Sequence, residues 1–142
     1  FVLGEDAVTT IGTTEGATIH SSVPITTTIA KLDSEVTSAD KNTKNVILVG
    51  GPAIHTLVAE LGDEGKTKDV QYYRDQGEGY ALVHLVNDAF AEGKAALVVA
   101  GWGADDTRTV SGFLQNFEDH ADEFADAEMA EYRNGVLTTS TA

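Results

Sequence analysis

The fold of this chain is decided by residues 45–61, which have the sequence NVILVGGPAIHTLVAEL. Val46–Val49 form a short, continuous apolar run, which is typical of a strand covered on both faces. Gly50 and Gly51 follow, and glycine permits a backbone turn where a side chain would clash. Pro52 suits the first position of a helix, where its missing N–H costs nothing. The stretch therefore predicts a buried strand, a glycine turn and a helix.

The predicted helix has one apolar stripe. Ile54, Leu57, Val58 and Leu61 recur at the spacing of one helix face, and Gly62 stands where a helix commonly ends. We therefore expect this face to pack against the sheet.

A second stretch repeats the pattern. Ala95–Ala100 is a fully apolar predicted strand, followed by Gly101, Trp102 and Gly103. Asp105 or Asp106 then suits a helix start, because a carboxylate there accepts hydrogen bonds from unpaired N–H groups. Helical spacing continues over nearly four turns through Val110, Phe113, Leu114, Phe117, Ala121 and Phe124.

The rest of the region after residue 37 contains shorter predicted elements. Residues 38–44 form a predicted polar loop, and Asp69–Tyr73 a predicted strand. Tyr80–Val86 fits a buried strand better than a helix, but its spacing leaves the helix as an alternative. The turn Asn134-Gly135 leads into a last predicted strand, Val136–Thr139.

The N-terminal segment, residues 1–37, is rich in Thr, Val and Ile and has no helical stripe. Ala7–Ile11 and Pro24–Ala30 are predicted strands, because β-branched residues suit a pleated sheet. The predicted fold class is α/β: a mixed sheet with two main helices, preceded by a Thr-rich β segment. We expect one domain over residues 1–142, with the α/β core at 45–142.

Composition restricts the function. The 142 residues are 42% hydrophobic, enough for one core, and 9 basic against 23 acidic residues give a net charge of −14. This charge disfavours nucleic acid and anionic membranes as partners. The chain has no cysteine, which excludes disulfides and thiolate metal sites.

Neither a membrane segment nor a leader is predicted. No apolar run approaches the roughly 18 residues that span a bilayer, and the first residues lack the pattern of a signal peptide. We therefore expect no direct membrane insertion by this segment. Because the chain begins at Phe1, we expect a processed product or a fragment of a longer protein.

The two glycine turns are candidate ligand loops. The turn at Gly50, Gly51 and Pro52 could present N–H groups to an anion, but it lacks the Lys-Ser/Thr pair of a phosphate loop and a third glycine. Structural turns are favoured here and at Gly101 and Gly103. Trp102 is expected to fold over the helix end, or to serve an interface.

No catalytic or zinc-binding motif is present. The four histidines, His20, His55, His84 and His120, form no His-x-x-x-His pair, and there is no Gly-x-Ser-x-Gly sequence. The sequence therefore does not predict an enzyme.

Calcium is the one cofactor that the composition suggests. Seven acidic residues lie between positions 118 and 131, and the weak candidate ligands among them are Asp119, Asp122, Glu123 and Asp126. They lack the order of an EF-hand loop, so a solvated acidic face with diffuse cation binding is the favoured interpretation.

Three of these stretches together resemble the C-terminal region of archaeal surface-layer (S-layer) proteins. They are Asn45–Ala53, Leu57–Leu61 and Gly93–Arg108, and the closing Asn134–Thr139 is similar to the family's last strand. The resemblance covers most of residues 30–142. It implies a secreted, self-assembling structural domain of a lattice outside the cell, with copies of itself as partners and no catalytic residues.

Alternatives from other classes remain open. The glycine turns could serve a nucleotide- or sugar-binding α/β domain, and the chain could be an extracellular filament or adhesion subunit. For the assembly domain, we expect exposed strand edges in residues 1–30 to pair with a neighbouring subunit.

Overall fold

A computed structural model describes residues 12–14, 17–19 and 29–141. In chain order its elements are β1 (Gly12–Thr14), β2 (Ala17–Ile19), α1 (Ser38–Thr43), β3 (Val46–Val49), α2 (Thr56–Asp63), α3 (Val70–Gln76), β4 (Tyr80–Ala91), β5 (Lys94–Gly101), α4 (Ala104–Gln115), α5 (Ala121–Phe124), β6 (Met129–Arg133) and β7 (Val136–Ser140). Short 3-10 turns lie at Asp33–Glu35 and Phe117–His120. The predicted strand Ala7–Ile11 and most of Pro24–Ala30 lie outside the described residues.

The main sheet is mixed and has the strand order β3-β5-β4-β6-β7. β3 and β5 are parallel, and the other neighbouring pairs are antiparallel. β1 and β2 form a separate antiparallel pair. The α/β class with a mixed sheet is therefore confirmed, and the two main predicted helices correspond to α2 and α4.

Both faces of the sheet are covered. On one face, Leu82 and Val86 of β4 pack in a cluster with side chains of α2 and α3. On the other, Ala81 and Val83 pack with Val110 of α4. Alternate residues of one strand point to opposite faces, so β4 needs apolar residues at successive positions. The predicted strand at Tyr80–Val86 is confirmed and is longer than expected.

The start of α2 differs from the prediction. The helix begins at Thr56 rather than Pro52, because the Gly51 carbonyl accepts hydrogen bonds from the N–H groups of Ile54 and His55 and closes a turn first. Ile54 consequently lies outside the helix and is 83% exposed.

The other members of the stripe behave as expected. Leu57, Val58 and Leu61 are buried. Gly62 is inside the helix rather than at its end, and Gly65, with φ of +73°, follows the last turn.

The strand predicted at Asp69–Tyr73 is wrong, because this segment forms α3. The Asp69 side chain accepts a hydrogen bond from the Tyr72 N–H at 2.8 Å, which is the geometry of an N-cap. This cap and the burial of Tyr73 outweigh the strand propensity of the tyrosines.

The predicted polar loop at 38–44 is also wrong, because residues 38–43 form α1. The Asp40 N–H donates to Thr37 Oγ1 at 3.2 Å, and Asp40 Oδ2 accepts from the Thr37 N–H at 3.0 Å. Such a reciprocal pair stabilises a helix start even where the stripe is weak.

The long helix predicted after residue 105 is shorter than its spacing suggests. α4 ends at Gln115, because Asn116 leaves helical geometry and its side chain donates to the Gly112 carbonyl at 2.9 Å. Phe117 then folds back and stacks on Phe124, with ring centroids 5.8 Å apart.

The last hairpin confirms the predicted turn and strand. Asn134 and Gly135 have φ of +47° and +97°, the pattern of a two-residue type I′ turn. The partner strand β6 was not predicted, because its sequence lies in the acidic stretch. In the part of the chain that the structure describes, no helix has both the length and the apolar character that crossing a membrane requires.

Candidate functional site

The parallel pairing of β3 and β5 brings the two glycine turns side by side. Val49 is in register with Val99, and the Gly50 N–H donates to the Val99 carbonyl at 2.9 Å. A Cβ on Gly51 would lie 3.4 Å from the Gly101 carbonyl oxygen. The strand ends therefore meet at one edge of the sheet.

Gly101 also lies directly against the start of α4. A Cβ at this position would lie 2.6 Å from both Asp106 Cβ and the Thr107 nitrogen. The Gly101 N–H donates to Thr107 Oγ1 at 2.9 Å, and the Gly103 N–H donates to Asp106 Oδ2 at 3.0 Å. The expected carboxylate at the helix start is thus Asp106, and Gly103 is the N-cap residue.

A cavity of about 250 Å³ opens beside these turns, and we call it the turn pocket. Its walls come from both glycine turns and from α3, and consist of Gly51, Pro52, Ala53, Val70, Tyr73, Arg74, Gly101 and Trp102. The lining is mostly apolar. Trp102 lines the pocket with 48% of its surface exposed.

Tyr73 is the buried polar residue of the turn pocket. It is 5% exposed, and its hydroxyl has no hydrogen-bond partner among the described residues. Its neighbours differ, since the hydroxyls of Tyr72 and Tyr80 donate to Glu131 Oε1 at 2.9 and 2.7 Å. Burial raises the pKa of the Tyr73 phenol, and the nearby Tyr72 and Glu131 raise it further. The group therefore remains protonated.

The sequence did not single out Tyr73 and Arg74 as site residues. Their place in the turn pocket depends on α3, which was predicted as a strand. The available signal was Asp69, whose side chain caps the helix three residues before Tyr72. Read as an N-cap, it would have placed residues 70–76 on a helix.

The acidic candidates are spread along the segment after α4. Asp119 is in the second 3-10 turn, Asp122 and Glu123 are on α5, and Asp126 follows with φ of +58°. All four are exposed, and Glu123 lies 3.2 Å from His120. Within the described ranges, no group of three or more His, Asp or Glu side chains is placed to hold a metal ion.

Among the described residues, His55 and His84 are partly buried histidines whose pKa is lowered. His84 Nδ1 lies 2.9 Å from Thr67 Oγ1, and burial lowers the pKa of His84, as does Lys68. Burial also lowers the pKa of His55, whose Nδ1 has no hydrogen-bond partner in the described structure. Both rings therefore favour the neutral form.

The outer edge of β7 is a second feature that faces outward. β7 is last in the strand order, and no strand among the described residues pairs with its outer side. Its sequence, VLTTS, contains no charged residue or proline, and four of its five residues are exposed. Such an edge presents unpaired N–H and C=O groups to another strand.

The fold and these two surfaces define a class: an α/β domain with a parallel strand pair ending in a turn pocket and an uncharged sheet edge. A family model described as "S-layer like family, outer domain" matches residues 4–117. The chain belongs to this family.

Two curated relatives agree with this assignment. The chain is 44% identical over 98 residues to an S-layer protein of Methanothermococcus thermolithotrophicus, covering 69% of this chain and 16% of that protein. It is 42% identical over 86 residues to an S-layer protein of Methanocaldococcus jannaschii, covering 61% and 14%. The chain thus spans less than a fifth of the length of these relatives.

Proposed function

We propose that this chain is a structural domain that self-assembles with copies of itself into a protein lattice at the cell surface. Membership of the S-layer family and the names of the two relatives support a structural S-layer role. Secretion, lattice formation and the absence of catalysis are part of the proposal. A requirement for calcium at one specific site is not part of it.

The uncharged edge of β7 is the observation that carries the assembly proposal. A chain with a net charge of −14 repels its own copies at long range, so contact between copies needs a local surface without acidic side chains. β7 offers five such residues together with backbone groups that can pair. A strand from a neighbouring copy, for which the Thr-rich residues 1–30 are the predicted donor, would extend the sheet here.

Charge on the edge should block this assembly. We expect Thr139→Lys to abolish ordered sheets or filaments in electron microscopy, because an edge lysine prevents strand addition. Thr109→Lys on the exposed face of α4 is the matched control, since it makes the same substitution and charge change away from the edge. Both variants should melt within a few degrees of the parent.

Assembly by Thr139→Lys at the parent level would contradict the role of β7. Removal of residues 1–15 tests the donor segment, and should also abolish assembly while the 45–103 core still folds. The electron-microscopy images also distinguish a two-dimensional lattice from a filament, which is the alternative arrangement.

We propose that divalent cations act on this domain by screening its acidic residues rather than by occupying one site. The exposed positions of Asp119, Asp122, Glu123 and Asp126 support this, since they are spread over a 3-10 turn, α5 and the loop after it. Diffuse screening depends on net charge and ionic strength, not on any single carboxylate.

A ligand-binding role is a second candidate function, and the turn pocket is the observation that favours it. The pocket lies at the carboxyl ends of parallel strands, where α/β proteins commonly bind ligands. It does not conflict with assembly, because Thr139 and the other residues of β7 are not part of its lining.

A further inference from the structure

We propose that the turn pocket binds a small cyclic carboxylate, with Arg74 pairing to the carboxylate and Trp102 contacting the face of the ring. This goes beyond the structural role proposed above and does not depend on it. The ligand class follows from two features of the pocket: the cation in its lining and its apolar walls.

The cation is Arg74. Five other basic residues lie within 4 Å of a carboxylate, namely Lys31, Lys41, Lys44, Lys66 and Arg108. Within residues 29–141, Arg74 makes no ion pair with a carboxylate; the same holds for Lys68, Lys94 and Arg133, but of these four only Arg74 lines the turn pocket. A guanidinium binds carboxylates through two parallel hydrogen bonds, so a ligand carboxylate is its natural partner.

The walls indicate a single ring. A volume of about 250 Å³ is below the usual range for drug-sized ligands, which begins at about 300 Å³. Pro52, Val70 and the glycine backbones form apolar walls, and the exposed indole of Trp102 offers a flat face. Aromatic rings and the C–H faces of sugar rings both fit such a surface.

Tyr73 contributes apolar wall only, because its hydroxyl is fully buried and no ligand atom in the pocket can reach it. A phosphate dianion fits less well, because the lining has one cation and lacks the Lys-Ser/Thr pair of a phosphate loop.

Trp102 is the only tryptophan of the chain, so its fluorescence reports on the turn pocket directly. We would titrate the full chain with benzoate and with glucuronate, and with the neutral benzamide and glucose as their counterparts. We expect a saturable fluorescence change with at least one acid and at least tenfold weaker binding of its neutral counterpart. The acid that binds more tightly shows whether the ligand ring is aromatic or a sugar.

Substitutions test which residues of the pocket contribute to binding. Arg74→Gln should weaken binding of the acid at least tenfold, whereas Tyr73→Phe should leave it nearly unchanged, because the hydroxyl does not reach the pocket. Lys94→Gln, at the opposite end of β5, makes the same charge change and should leave binding unchanged. Arg74 is exposed, so its variant should fold normally.

Three results would overturn the proposal. They are the absence of a saturable change with either acid, equal binding of acid and neutral counterpart, and equal effects of Arg74→Gln and Lys94→Gln. Repeating the titration with Thr139→Lys separates the outcome from assembly, because that variant changes β7 and not the pocket.

Discussion

At the residue scale, glycine is required for different physical reasons at different positions. Gly50 has φ of +128°, a conformation that other residues rarely adopt. Gly101 is needed for space, because α4 begins where its side chain would be. Gly112, inside α4, has no heavy atom within 4 Å of a Cβ position apart from its neighbouring residues and the backbone of its own helix. The sequence marked Gly50 and Gly101 as turns, but spacing alone could not separate conformation from close packing.

A pair of alanine substitutions tests this difference. Gly101→Ala should lower the free energy of unfolding by about 1–3 kcal/mol, because the backbone of α4 must move to admit the methyl group. Gly112→Ala should raise it by about 0.5–1 kcal/mol, because alanine favours the helix and nothing blocks its side chain. Urea unfolding followed by circular dichroism measures both, and equal effects would contradict the packing argument.

At the element scale, the apolar patterns predicted strands better than helices. Val46–Val49 and Ala95–Ala100 were recognised because continuous apolar runs are typical of strands buried on both faces. α1 and α3 were missed because each begins with a polar cap rather than an apolar stripe. The stripe after Val110 continues past the end of α4, because Phe117 and Phe124 pack on each other in the 3-10 turn and α5 that follow.

Removing the cap of α3 tests its role. Asp69→Ala should destabilise the domain by about 1 kcal/mol, because the Tyr72 N–H loses its acceptor. Asp75→Ala, in the same helix and with the same charge change, is the control and should have a smaller effect. Because α3 supplies Tyr73 and Arg74, fluorescence of Trp102 should also change in Asp69→Ala. An unchanged melting temperature would show that the cap is not needed.

At the scale of the whole molecule, charge and sheet edges set the behaviour in solution. The net charge of −14 favours expansion at low salt, while the two faces of the sheet hold the core together. The sheet joins segments far apart in sequence, such as β3 with β5 and β4 with β6. These pairings put the glycine turns together at the carboxyl ends of β3 and β5, and they leave β7 as the outermost strand of the sheet.

Salt should therefore stabilise the domain. We expect the melting temperature to rise between about 0.01 M and about 1 M NaCl, over which the screening length falls from about 30 Å to about 3 Å. CaCl2 at equal ionic strength should produce a similar or slightly larger rise.

A specific calcium site would give a different result. It would produce a saturable effect of calcium at low concentration that Asp122→Asn removes and Asp105→Asn, the control on α4, does not. Calorimetric scans of the three proteins make the comparison.

The sequence by itself determined the α/β class, the buried strands, the glycine turns and the resemblance to S-layer proteins, because these depend on local patterns of apolar residues and glycine. Only the tertiary structure decided which strands are neighbours, and so which residues meet at the turn pocket. Val70, Tyr73 and Arg74 come from a helix, and Gly51, Gly101 and Trp102 from two separate turns. Their meeting depends on long-range strand pairing, which no local pattern encodes.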